Sequence, residues 1–259
     1  MGHLKKLYYA SILALLLGCG GGSGDSSSSS SANSENSVTR YSSDYSASDL
    51  QVFFALSIIS SSEAEIEGYV QDSSFNYVAI NGGDQLVAEV DSLNFPLAET
   101  SVKGGVYYYG GDVSASASEY IVKLLRGNVV QSSLAVNELP LPFTLTTSFA
   151  GEVIDVSWAP EADHTYSYVV ETLTCTNSTE TNIRTVSPDI NAGDHLLNSG
   201  SYSKSLSEVF GQTQAQLTQG FDSCIFEMDI IANKDSLPSQ TNGQLTFDVV
   251  QKRKIIIEL

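Results

Sequence analysis

The sequence predicts an all-β protein: two tandem antiparallel β-sandwiches, residues 46–139 and 140–259, behind a disordered tether. Three observations predict it. Apolar residues recur at every second position along many stretches, the period of a half-buried strand. Gly, Asn, Ser and Asp clusters break these runs at the spacing of sandwich loops. The chain from Gly20 to about Tyr45 is instead low-complexity, with Gly20-Gly21-Gly22-Ser23-Gly24 and an unbroken serine run from Ser26 to Ser31. Such residues cannot bury enough apolar surface to offset backbone ordering, so residues 19–45 read as a flexible linker with a reach of roughly 25–30 Å.

The first element is residues 1–18. Lys5 and Lys6 precede an apolar run from Leu7 to Leu17, too short to span a bilayer, which needs about 20 residues. Leu16-Leu17-Gly18-Cys19 closes it. This arrangement resembles the lipobox signal peptide of bacterial lipoproteins. The resemblance implies cleavage before Cys19, a lipid on its thiol and a soluble part held by acyl chains. Gly20 after the cysteine, where aspartate would favour the inner membrane, implies the outer membrane of a Gram-negative host, on its periplasmic or cell-surface face. Two or three acyl chains give stable attachment where one does not.

In the first sandwich, Glu63-Ala64-Glu65-Ile66-Glu67-Gly68-Tyr69-Val70 alternates, with Ala64, Ile66 and Val70 inward and the glutamates toward water. Asn81-Gly82-Gly83-Asp84 is a turn before a strand over 85–90. Gly104-Gly105 and Gly110-Gly111 bracket a strand over 106–109. Strands over 120–125 and 129–136 flank the turn Arg126-Gly127-Asn128.

Leu139-Pro140-Leu141-Pro142 marks a boundary, because two prolines cannot donate to a sheet ladder. Strands are expected over 143–148, 152–158, 166–175, 183–186, 223–232 and 244–259, with one short helix over Leu206–Leu217. Ile154, Val156 and Trp158 share a face and Ala159-Pro160 ends their strand. This hairpin resembles the start of a fibronectin type III domain, which implies an Ig-like sandwich. Cys175 closes one strand and Cys224 opens another. In an exported chain they read as a disulfide, with a buried free pair as the alternative. The order Trp158, Cys175, Cys224 differs from the Cys–Trp–Cys order of antibody-type domains.

Once Lys5 and Lys6 are removed, ten basic residues face thirty acidic ones. That excludes general nucleic-acid binding and argues against acidic lipid faces. The carboxylates are dispersed, as a solvated surface would have them. No G-x-S-x-G elbow, H-E-x-x-H, EF-hand loop, P-loop or dinucleotide fingerprint occurs. His164 and His195, the only histidines after Cys19, lie in polar, turn-like segments and read as loop residues, with a metal pair alongside Asp163 and Asp194 as a remote alternative. A loop calcium site at Asp84, Asp91 or Asp112 stays open, as does glycosidase chemistry at Glu63, Glu65 and Glu67, the latter disfavoured by their place on the wet face. No cofactor or resident metal is expected.

Tyr107-Tyr108-Tyr109 is the one segment with a binding character, since exposed aromatics stack on sugars or protein partners. Period two puts Tyr107 and Tyr109 on one side of the strand and Tyr108 on the other. The expected function is therefore a lipid-anchored envelope protein with a non-catalytic structural, adhesive or assembly role. Its partners would be the membrane, through the anchor, and an envelope protein or glycan. The alternatives are a glycan- or small-ligand-binding module and, remotely, a hydrolase.

Overall fold

The computed structural model describes residues 39–136, 138–235 and 240–259, so the signal segment, Cys19 and the linker up to residue 38 lie outside the described residues. The first half carries β1 (Leu50–Ile58), β2 (Glu63–Asp72), β3 (Tyr77–Val78), β4 (Asp84–Val90), β5 (Leu93–Pro96), β6 (Ala98–Lys103), β7 (Val106–Ser114), β8 (Tyr120–Arg126) and β9 (Val129–Val136). The second carries β10 (Thr146–Ala150), β11 (Val153–Ser157), β12 (His164–Thr176), β13 (Thr181–Val186), β14 (Ser201–Ser205), β15 (Ser223–Lys234), β16 (Gln240–Thr241) and β17 (Leu245–Glu258). The protein is all-β, built of layered β-sheets.

One long sheet, ordered β13-β12-β15-β17-β1-β2-β7-β6, runs through both sandwiches. A four-stranded sheet, β5-β4-β8-β9, covers its first half, and the three-stranded sheet β10-β11-β14 covers its second. The first core joins Val52, Phe54, Leu56 and Ile66 to Leu86, Tyr120, Val122 and Leu124. The second joins Ile154, Val156 and Trp158 to Tyr166, Tyr168, Phe226 and Ile230. Both follow from alternation: β1 buries Leu50, Val52, Phe54, Leu56 and Ile58 and leaves the residues between them half-exposed.

β17 is the seam. Over Leu245–Gln251 it pairs parallel with β1, and over Gln251–Glu258 antiparallel with β15. Its odd-numbered residues face inward throughout. Leu245 and Phe247 fill the first core, Ile255 and Ile257 the second. Gln251 and Arg253 fall between the cores. Gln251 is buried, donates to the Pro140 carbonyl at 2.8 Å and accepts from Arg253 Nη2 at 2.9 Å. Arg253 donates to the carbonyls of Phe143 (2.9 Å), Ile58 and Ile59 (both 3.0 Å) and Lys252 (2.7 Å), and stands 5.2 Å from the Phe143 ring centre. Burial pushes its guanidinium below the ordinary value. The Leu141 amide donates to His164 Nε2 at 3.2 Å, and Glu138 pairs with Lys234. Linker and strand thus clamp the two sandwiches together at one place.

Five expectations change. The β1–β17 pair is parallel, because β17 returns from β16 and enters the first sheet in the direction β1 runs. The cores do not divide at residue 139/140, since Leu245 and Phe247 belong to the first. Ordered structure begins before residue 46: the Ala79 amide donates to Arg40 O, Ser42 is fully buried, and 3₁₀ turns span Ser42–Asp44 and Ala47–Asp49. The single helix over 206–217 is two turns, α1 (Leu206–Phe210) and α2 (Gln214–Thr218). Ser205/Glu208 and Thr213/Gln216 each form a capping box, and Gly211 ends α1 at φ 71°. Gly110 and Gly111 lie inside β7, where a side chain on Gly110 would come within 3.0 Å of the Ile66 carbonyl.

Candidate binding surface

The first sandwich has two ends. Ile58, at the end of β1, is held by Arg253 at the seam. Leu50, at its start, lies opposite Asp72 at the other end, about 26 Å away along an extended strand. The N-terminal segment arrives at this far pole. Arg126, at the end of β8, fastens it there. Its guanidinium binds Asp84 through two 2.7 Å bonds and donates to the carbonyls of Tyr45 (2.9 Å) and Ser42 (3.0 Å). Burial alone would raise the Asp84 pKa. Its bonds to Arg126 and Ser42 outweigh that and hold it below the usual carboxylate range.

The β2–β3 turn projects from the same pole. Asp72 Oδ1 accepts from the amides of Ser74 (2.8 Å) and Asn76 (3.0 Å), and the Asp72 carbonyl accepts from the Phe75 amide at 3.0 Å. Tyr45 donates its hydroxyl to Asp72 Oδ2 at 3.2 Å. This network holds Phe75 at φ 64°, left-handed backbone that costs a bulky residue roughly 1–2 kcal/mol. The ring is 68% exposed. A well-ordered turn presents a large apolar side chain to solvent.

Beside it lies a cleft of about 260 Å³ lined by Thr39, Arg40, Phe75, Asn76, Tyr77, Gly105 and Tyr107. The structure separates the three consecutive tyrosines. Half-buried Tyr107 lines this cleft. Tyr109 packs in the first core and accepts from the Ile80 amide at 2.7 Å. Tyr108 packs on the opposite sheet face with Tyr69, 6.2 Å between ring centres, where Phe53 and Tyr77 also contact Tyr69. Burial raises the Tyr69 and Tyr108 pKa values, and the Tyr108 hydroxyl has no hydrogen-bond partner among the described residues.

Glu63 is exposed and Glu65 and Glu67 are half-buried on the outer face of β2, where burial, then Glu65, raises the Glu67 pKa. Among the described residues no three His, Cys, Asp or Glu side chains converge as a metal site. Asp84 is committed to Arg126, and Asp91 accepts from the Ser118 amide and hydroxyl. His164 is a correction to its loop reading: it opens β12 and its side chain is fully buried. Nδ1 bonds Asp163 Oδ1 at 2.8 Å while Nε2 accepts from Leu141, which places the ring proton on Nδ1 and leaves neither nitrogen open to a metal. His195 is half-buried in the β13–β14 connection, and its carbonyl accepts from the Tyr168 amide.

Sequence patterning did not single out Glu171. It sits at a bulge in β12, 1% exposed, accepting from the Tyr202 hydroxyl (2.9 Å) and Lys204 Nζ (3.2 Å) across the second sandwich. Lys204 also donates to Tyr168 at 2.7 Å. Burial alone would lower the Lys204 pKa, but these partners hold it above the ordinary value. A buried carboxylate satisfied by a cation and a phenol ties the two sheets together. Cys175 and Cys224 face each other across β12 and β15 and form a disulfide.

No protein-family model matches this chain, and no curated protein matches it in sequence. Solved structures similar to it include the Yersinia pseudotuberculosis adhesin InvE, at 11% identity over 82% of this chain and 59% of that one, TM-score 0.25. Another is the Escherichia coli adhesin FdeC, at 10% identity over 79% and 65%, TM-score 0.26. A third is pullulanase type I of Bacillus subtilis with maltose, at 10% identity over 71% and 23%, TM-score 0.18. The chain spans less than two thirds of either adhesin.

Proposed function

We propose that this protein is a lipid-anchored module of the bacterial outer membrane with a non-catalytic adhesive or partner-holding role. One observation carries the reading. β17 and the Arg253 clamp join two sandwiches into one body, with the N-terminal segment leaving from the pole opposite the seam. A body attached at one end and stiff along its length is suited to holding a surface away from its anchor. The Leu16-Leu17-Gly18-Cys19 sequence supplies the anchor in this reading.

The test is in-cell crosslinking of the tagged chain, with lipid labelling of the wild type and of Cys19→Ser. Lipid on the wild type alone, with one stoichiometric envelope protein crosslinked, supports the proposal. An unlipidated wild type, or turnover of a substrate by the purified chain, overturns it.

A second reading, a glycan-binding module, is favoured by the cleft, where Tyr107, Tyr77 and Phe75 lie with Arg40 and Asn76. Aromatic rings beside hydrogen-bonding groups suit a sugar ring. Saturable polysaccharide binding that is lost in Tyr107→Ala with the fold intact supports this reading. Equal binding by both proteins removes it.

A further inference from the structure

We infer that the N-terminal pole of the first sandwich is a membrane-docking surface whose occupant is the phospholipid interface, with Phe75 as its inserting side chain. The inference rests on the lipid-anchor reading for the location of the bilayer, and on the structure for the surface.

Five of the eleven large exposed apolar side chains among the described residues cluster at this pole: Tyr41, Phe75, Val102, Val129 and Val130. Strand register places them together. Val129 follows the β8 end that Arg126 fastens to Ser42 and Tyr45, Val102 precedes the Gly104-Gly105 turn beside the cleft, and Phe75 tops the β2–β3 turn. Arg40 and Lys103 are at the same pole, and neither has a hydrogen-bonded carboxylate among the described residues, whereas most other cations do. Exposed aromatic and aliphatic groups with two cations beside them match the lipid interface, where apolar side chains enter the acyl boundary and cations meet phosphates. Asp44 and Asp49 are also exposed here, so apolar contact, not net charge, drives docking.

Chain length selects the occupant. Residues 19–38 separate the expected lipid on Cys19 from this pole, and a Gly/Ser chain of that length has a typical reach of roughly 25 Å. Tethering therefore keeps this pole, the part of the body nearest the anchor along the chain, by the bilayer at high effective concentration. A surface too small to hold a free protein on lipid becomes sufficient when it is already attached.

The test uses residues 19–259 made without lipid. With Cys175 and Cys224 in a disulfide, Cys19 is the one free thiol and can be coupled to maleimide-lipid vesicles of phosphatidylethanolamine and phosphatidylcholine. A Phe75→Trp variant, read against the parent chain to subtract Trp158, is quenched with lipids brominated in their acyl chains. Docking predicts a blue-shifted indole quenched more than about twofold, as for a ring roughly 5–10 Å into the interface. In the unsubstituted chain it predicts slower amide exchange at residues 73–76 on vesicles, which keeps the test valid if the variant misfolds. Emission and exchange identical to those in solution overturn the inference. So does an indole that responds to an acidic polysaccharide and not to bromolipid, which assigns the pole to a glycan. Absence of lipid on Cys19 in cells refutes the anchor reading separately, because the vesicle coupling does not depend on it.

Discussion

Replacing Arg253 by Ala strikes the point where linker, first sandwich and second sandwich meet. The side chain donates to four backbone carbonyls and one side-chain oxygen, all within 3.0 Å. The bonds to Ile58, Ile59 and Phe143 join separate elements. Each charge-assisted bond is worth about 1.5–3 kcal/mol. The residue is half-buried, so water re-satisfies part of what is lost. About 1 kcal/mol for each of the three, with the lost contact to the Phe143 ring, gives about 3–4 kcal/mol. With a urea slope of about 3 kcal/mol/M for a chain of this size, the midpoint falls by roughly 1 M. Trp158 lies in the second core, 6.3 Å from the Phe143 ring centre, and reports unfolding by fluorescence. Far-ultraviolet circular dichroism follows both sandwiches. The wild type should give one coincident transition, and Arg253→Ala a lower midpoint with the two probes separating. Coincident probes and a shift below about 0.2 M would refute the clamp.

Three further outcomes follow from the same geometry. Glu171→Leu leaves Lys204 facing two tyrosines with no hydrogen-bonded carboxylate and should cost about 2–3 kcal/mol in urea, less than a fully buried pair because Lys204 keeps some solvent. Replacing Cys175 and Cys224 by Ala opens a loop with a sequence separation of 49 and should cost about 4 kcal/mol in the chain-entropy model; stability equal to the oxidised parent's would contradict it. Asp84, with its folded pKa lowered, contributes stability that is complete above its unfolded value near 3.9 and is lost as pH falls through the lower folded value. Asp84→Asn should therefore destabilise at pH 7 and flatten the acid limb of stability against pH, and an unchanged acid limb would count against the Arg126 clip.

Local patterning carried most of the strands. The interval from Glu63 to Val70, the hairpin around Gly127 and the strand bearing Cys224 lie where period two puts them. The same alternation marks Leu50–Ile58, a strand legible in the chain although no motif draws attention to it. The partner of that strand was not legible, because parallel pairing with β17 joins residues almost two hundred positions apart and leaves no local trace. A trace of the seam does exist: Gln251 and Arg253 interrupt an inward face otherwise made of Leu, Phe, Val and Ile. Polar residues on such a face belong where backbone carbonyls need donors. At the candidate surface, Tyr107 was found from composition, but Phe75 owes its exposure to the Asp72 turn and Arg40 its place to the Arg126 clip, contacts no sequence pattern encodes.

The claim beneath all of this is that one strand completes both sandwiches, and separating the halves tests it most directly. Residues 39–139, made alone, lack Leu245 and Phe247, each at most 1% exposed, and the ladder along β1. Losing either side chain costs about 2–5 kcal/mol, and together they approach the whole stability of an ordinary domain. Amide exchange on that fragment should show no protected core, and fusing residues 240–251 to it should restore protection along β1. Protection in the bare fragment equal to that in the full chain would contradict the shared strand and the rigid body built on it.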